Sequence, residues 1–130
     1  EMMAGTADAA QVALEEACRL DPKESAYRLL AAGYQLRRQD PAAALRHLRA
    51  GLDHEQAPFY RGRLLLWAAR AAEVTGDTAL AQDWRSELIA LRHSHIGRYQ
   101  RDARREQRHP MSRRRLDRTR VQIQLCDLAA

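Results

Sequence analysis

Four interruptions constrain this 130-residue chain more than any other feature: Pro22, Pro41, Pro58 and the Gly76-Asp77 pair divide it into segments that each repeat apolar residues at helical spacing. Proline lacks the amide proton that a helix interior needs, and glycine suits the left-handed residue that closes a helix. The first segment sets Ala10, Ala13, Leu14, Ala17 and Cys18 on one face, the i, i+3, i+4, i+7, i+8 pattern of an amphipathic helix. The second carries Tyr27, Leu30, Ala31 and Tyr34, with Leu29, Gly33 and Leu36 beside them, a surface wide enough for contacts on two sides. Asp40 before Pro41 joins a capping side chain to a residue pre-set for the first helical turn, and Ala44, Leu45, Leu48 and Leu52 follow. Tyr60, Leu64, Trp67, Ala71 and Val74 form the longest regular stripe; beyond Gly76-Asp77 come Leu80, Trp84, Leu88 and Leu91. The pattern predicts antiparallel helices over 7–20, 24–39, 41–53, 58–75 and 77–92, with Leu64, Trp67, Ala71, Trp84 and Leu88 packed across the last pair.

Composition agrees. Apolar residues make up 45% of the chain, mostly Ala and Leu, against 5% aromatics, a mixture that loses little on entering a helix. After residue 92 the character changes. From His93 to His109 the apolar stripe thins to Ile96 and Tyr99, and the segment reads as a helix, broken at Pro110, that either projects into solvent or caps the preceding helices and presents a basic face. Ser112 to Leu128 form the last element. Val121 to Leu125 alternate as a strand would, but Val121, Leu125 and Leu128 also share a helical stripe and no second strand is at hand, so helix is the reading. Residues 92–120 hold eleven Arg against Asp102, Glu106 and Asp117, whereas the rest of the chain is net acidic. The expected organisation is a tag or disordered start over 1–5, helical repeats over 6–92 and a basic helical segment over 93–130.

The segment with Ala10, Leu14, Ala17 and Pro22 recurs after 34 residues as Ala44, Leu48, Gly51 and Leu52, and more loosely as Ala81, Leu88 and Ile89. With that period, Ala17-Cys18 followed by Leu20-Asp21-Pro22, small residues at Ala32 and Ala69, and the turn at Gly76-Asp77, residues 7–92 resemble the tetratricopeptide family. The match departs from the family pattern at Arg28, where a large aromatic is usual, at the Gln39-Asp40 turn, and in a three-residue insertion in the third unit. The resemblance implies an all-α fold in which antiparallel helix pairs stack as a short right-handed solenoid, with the basic segment as an extension. It also implies a groove for a partner peptide or helix, lined by Leu29, Gly33, Leu36 and Arg37 from one unit and by Arg63, Leu66, Arg70 and Glu73 from the next. Arginines beside apolar patches suit an acidic or carboxylate-bearing ligand.

No pattern points to chemistry. The chain has no Gly-rich phosphate loop and no Ser, His and Asp arrangement; His93 and His95, two apart, would point to different sides of a helix, without a third metal ligand at usable spacing. Trp67 and Trp84 lie on apolar stripes, and Cys18 and Cys126 are far apart, which fits a reduced, cytoplasmic compartment. The expectation is a non-catalytic adaptor, chaperone or regulator that binds another protein without metal or cofactor. The alternative is nucleic-acid binding by charge, through Arg98, Arg101, Arg104, Arg105, Arg108, Arg113, Arg114, Arg115, Arg118 and Arg120.

Overall fold

In the computed structural model, which describes residues 25–93, 95–116 and 118 together with 9, 12, 13, 15–17, 19 and 20, Pro41 and Pro58 each open a helix and Gly76-Asp77 falls between two, while Pro22 lies outside the described residues. The helices are α1 (Ser25–Arg37), α2 (Pro41–His54), α3 (Pro58–Val74), α4 (Thr78–Ala90) and α5 (Gly97–Arg108). The described residues of the 7–20 segment are also helical, with Ala13 exposed, while Ala10, Leu14 and Cys18 lie outside the described residues. Residues 113–116 form one further helical turn; Arg120 and the Val121–Leu128 stripe fall outside the described residues. No strand occurs among the described residues, and none of their helices is long and apolar enough to cross a membrane. The fold is all-α.

Two turns show how the ends are set. The amide of Asp40 donates to Gln35 O at 2.9 Å and that of Gln39 to Leu36 O at 3.0 Å; Asp77 donates to Ala72 O at 2.9 Å and Gly76 to Glu73 O at 3.1 Å. Both are the paired bonds of a helix closed by one left-handed residue, Gln39 at φ 60° and Gly76 at φ 102°. The next residue then caps the following helix: Asp40 Oδ1 accepts from the Ala43 amide at 3.0 Å and Asp77 Oδ1 from the Leu80 amide at 3.2 Å.

Such short turns force antiparallel neighbours, and the cross-links agree: Arg61 near the start of α3 pairs with Glu87 near the end of α4, and Glu73 near the end of α3 pairs with Arg85. α3 is the hub. It touches α1, α2, α4 and α5, and Gly62 to Ala72 are buried without a break, so its polar members must find partners inside the protein. Small residues let the helices close on it. A Cβ at Gly51 would stand 3.2 Å from Leu64 and 3.4 Å from the Arg28 Cβ, and one at Gly62 would stand 3.3 Å from Leu88 and 3.4 Å from Ile96.

Two expectations change in part, and one left between two placements is decided. Leu64, Trp67, Ala71 and Leu88 are buried together and Trp84 packs against them as expected, but Trp84 is only half-buried, touching also a smaller cluster of Ala69, Ala72 and Ala81, with the Arg49 guanidinium 5.9 Å from its ring. Tyr60 begins the α3 stripe in sequence yet is 47% exposed, because the first turn of α3 extends past the helices that cover the rest. Of the two placements expected for the basic segment, projecting into solvent or lying over the preceding helices, it takes the second. α4 stops at Ala90, the chain reverses through 91–96, and α5 packs back on α4 and α3 with Ile96, Ala103 and Glu106 buried.

Candidate functional site

The groove expected from the repeat is largely interior. Leu29, Gly33, Leu36, Arg63, Leu66 and Arg70 are buried, and the Glu73 side chain is 5% exposed; Arg37 alone of the eight is exposed, its guanidinium 4.4 Å from the Tyr34 ring. Leu29, Leu36 and Leu66 belong to the main core cluster. What covers Arg70 and Glu73 is α5.

The contact between them is a buried ion cluster. Arg70 donates from Nε to Glu106 Oε2 at 3.0 Å and from its terminal NH2 group to the same oxygen at 2.7 Å, while its guanidinium lies 4.6 Å from the Trp67 ring. Arg85 forks onto Glu73 at 2.8 and 3.1 Å and reaches Glu106 Oε1 at 3.5 Å. Glu73 also accepts the Met111 amide at 2.6 Å, which fastens the chain beyond α5. Arg85 and Glu106 are 0% and 1% exposed, so each charge depends on the others. Removing one member of such a set leaves an uncompensated buried charge, which costs about 3–5 kcal/mol. These residues hold α5 in place, and two of the three acids of the basic segment are used to do so: Glu106 inside, and Asp102, which reaches both Arg70 and Arg105 at its rim.

The outer face of α5 is therefore left to arginine. At about 100° per residue, Arg98, Arg101, Arg104, Arg105 and Arg108 fall within an arc of about 120°, directly opposite Tyr99, Ala103 and Glu106. All five are exposed, and Arg113, Arg114 and Arg118 beyond the helix are exposed too, with Arg115 half-buried and donating to the carbonyls of His109 and Pro110. Sequence spacing was enough to find this stripe. The burial of Glu106 and the rim position of Asp102 were not visible in it.

A second surface escaped the sequence reading. Arg61 ties the start of α3 to the end of α2, donating to Leu52 O at 2.8 Å and Glu55 O at 2.9 Å, and the Gln100 side-chain amide of α5 donates to the carbonyls of Leu88, Ile89 and Leu91 where α4 ends. Between these two fastenings lies an open cleft of about 590 Å³ lined by Ala57, Pro58, Phe59, Tyr60, His93 and His95. Phe59 and Tyr60 meet edge to face with centroids 5.2 Å apart, His93 lies 5.6 Å from Phe59, and His95 lies 5.5 Å from His93. The His95 amide donates to His93 Nδ1 at 3.1 Å, which leaves the ring proton of neutral His93 on Nε2. The two imidazoles were expected on opposite sides of a helix; they meet because α4 ends before them. Helical periodicity carries no signal for a cleft assembled from a loop and a first turn.

Among the described residues no three His, Cys, Asp or Glu side chains come together as metal ligands. No protein-family model, no curated protein and no solved structure matches the chain.

Proposed function

We propose that the chain is a non-catalytic interaction scaffold, a short tetratricopeptide-like right-handed solenoid of antiparallel helix pairs, that docks an acidic peptide or helix of a partner protein on the outer face of α5. One observation carries this reading: five arginines share one exposed arc of a helix whose two acids are Glu106, buried, and Asp102, at the rim between Arg70 and Arg105. A row of guanidiniums on a rigid helix offers bidentate, charge-assisted bonds at fixed spacing, the recognition that carboxylate-rich segments fit. The eight groove positions lend the proposal less, since Arg70 and Glu73 are engaged by α5 itself and by its neighbour α4. The adaptor, chaperone and regulator roles all remain within this class.

The same arc supports a second reading, charge-driven nucleic-acid binding, because Arg113 and Arg114 extend the exposed cationic surface beyond α5. Fluorescence anisotropy with a Glu-rich peptide and with RNA and DNA oligonucleotides, each at two salt concentrations, separates the two. The scaffold reading expects the peptide to bind and the oligonucleotides to bind no tighter. A nucleic-acid function expects log affinity to fall linearly with log salt, and replacement of Arg104, Arg105, Arg113 and Arg114 by Ala to weaken all sequences equally and flatten that slope. Binding of neither probe, or indifference of both to the quadruple replacement, would leave the arc a solvated surface and remove the proposal.

A further inference from the structure

The cleft between the first turn of α3 and the α4–α5 connection is not a void in the core. Its walls are rings, it opens to solvent, and Tyr60, His93 and His95 are all exposed at its edge. Its volume lies in the range of sites that receive a side chain or a small ligand, and aromatic residues together with arginine are the types enriched at the centres of protein interfaces. Charges of both signs stand around it, since Glu55 Oε2 accepts the amide of the lining residue Ala57 at 3.2 Å. Among the described residues no acidic side chain lines the cleft, Arg92 is exposed just before His93, and the Arg63 guanidinium lies 5.6 Å from the Phe59 ring and 5.8 Å from the Tyr60 ring.

The cleft also lies only a few residues along the chain from the arginine arc. His95 precedes Arg98 by three residues, at most about 11 Å of chain, and α5 then carries the arc for about 18 Å. A segment with one aromatic side chain in the cleft thus has the arc within reach of the carboxylates beside it. Rings in the cleft wall favour an aromatic occupant, which gains edge-to-face and stacked contacts with Phe59, Tyr60 and the imidazoles. Exposed Arg92 and the exposed arginines of α5 favour carboxylates around that residue. Resting on the scaffold reading above, we infer that this cleft is the anchor site for an aromatic residue within an acidic segment of the partner protein, with the arc of α5 holding the flanking carboxylates.

The test uses the full chain and two fluorescein-labelled probes, a Glu-rich peptide carrying one Trp and the same peptide with that Trp replaced by Ala, with a single-stranded oligonucleotide as a third. The wild type should bind the Trp peptide about tenfold tighter than the Ala peptide, the scale set by partial burial of one aromatic side chain. Tyr60→Ser and His95→Ala alter exposed residues, and either should bring the Trp peptide down toward the Ala peptide without moving the thermal midpoint. Arg101→Gln with Arg105→Gln should weaken both peptides by a similar factor and preserve their ratio. Equal binding of the two peptides by the wild type would overturn the anchor while leaving the basic face standing. A preference for Trp that survives both cleft variants would overturn it as well. Failure of either peptide to bind at all would remove the scaffold reading along with it. If Tyr60→Ser weakened only the oligonucleotide, the cleft would be a platform for a base, and the peptide anchor would be wrong.

Discussion

Arg70 and Arg85 on one side of α5, and Arg98, Arg101, Arg104, Arg105 and Arg108 on the other, are the same residue type in opposite circumstances. The first two are closed in with Glu73 and Glu106 at distances down to 2.7 Å; the five face solvent. The difference follows from where the acids sit. A buried guanidinium needs a carboxylate beside it, and α5 supplies one inward, Glu106, and one at the rim, Asp102, which Arg70 and Arg105 share, so cations elsewhere on the helix stay in water. Local charge counts thus say little about which arginines a partner can reach. The inner set fixes the helix, and the outer set can change without disturbing it.

Breaking the inner set should have the largest effect. Glu106→Ala removes the carboxylate shared by Arg70 and Arg85 and should lower unfolding free energy by about 3–5 kcal/mol in urea denaturation. A loss below about 1 kcal/mol would mean that water reaches the cluster and that the inner and outer arginines differ little. Next in size is the recovery on removing both charges of a pair. Arg70→Met combined with Glu106→Leu should regain most of the stability lost by Glu106→Ala alone, because an apolar pair of similar volume leaves no stranded ion. Additive losses would show that the pair stabilises by more than mutual neutralisation.

His47 sharpens the comparison as an intermediate case. It is 7% exposed, but its partner Glu15, 3.0 Å from Nε2, keeps half of its side chain in water. Burial holds the His47 pKa below its ordinary value, outweighing the pull of Glu15, with Arg28 and Arg46 adding to the depression. The unfolded chain therefore takes up a proton more readily than the folded one. The contribution of this site is intact above the unfolded value of about 6.5 and is lost as pH falls from there toward the folded value. Urea midpoints should drop between about pH 7.5 and pH 5, and His47→Gln should narrow that drop. An unchanged drop would assign the pH dependence to the carboxylates. The smallest effects belong to the outer arc: Arg101→Ala, Arg104→Ala and Arg108→Ala should each alter stability by no more than about 0.5 kcal/mol.

Much of the helical frame was legible because its signals are local. Asp40-Pro41 and Gly76-Asp77 cap and close helices through bonds within a few residues, and α1 to α4 end within two residues of where those signals place them. Gln39 shows that the left-handed closing position does not need glycine, and a helix end was still readable there from Asp40. The arginine stripe was legible for the same reason, since spacing along one helix defines its face. What could not be read is non-local. The pairing of Glu106 with Arg70 and Arg85 spans 36 and 21 residues, so nothing in the spacing near Pro110 tells a projecting helix from one that folds back over α3. For that reason Arg70 and Glu73 looked like groove residues, and the His93 and Tyr60 surfaces, joined by a chain reversal, had no signature.

The central claim is that α5 is a packed layer of the fold whose outer face alone is exposed, and hydrogen exchange read by mass spectrometry tests it most directly. Amides of 97–108 should exchange nearly as slowly as those of α3 and α4, and Glu106→Ala should speed exchange in α5 more than in α1 and α2. Exchange of α5 orders of magnitude faster than α3 in the unaltered protein, with no response to Glu106→Ala, would contradict it.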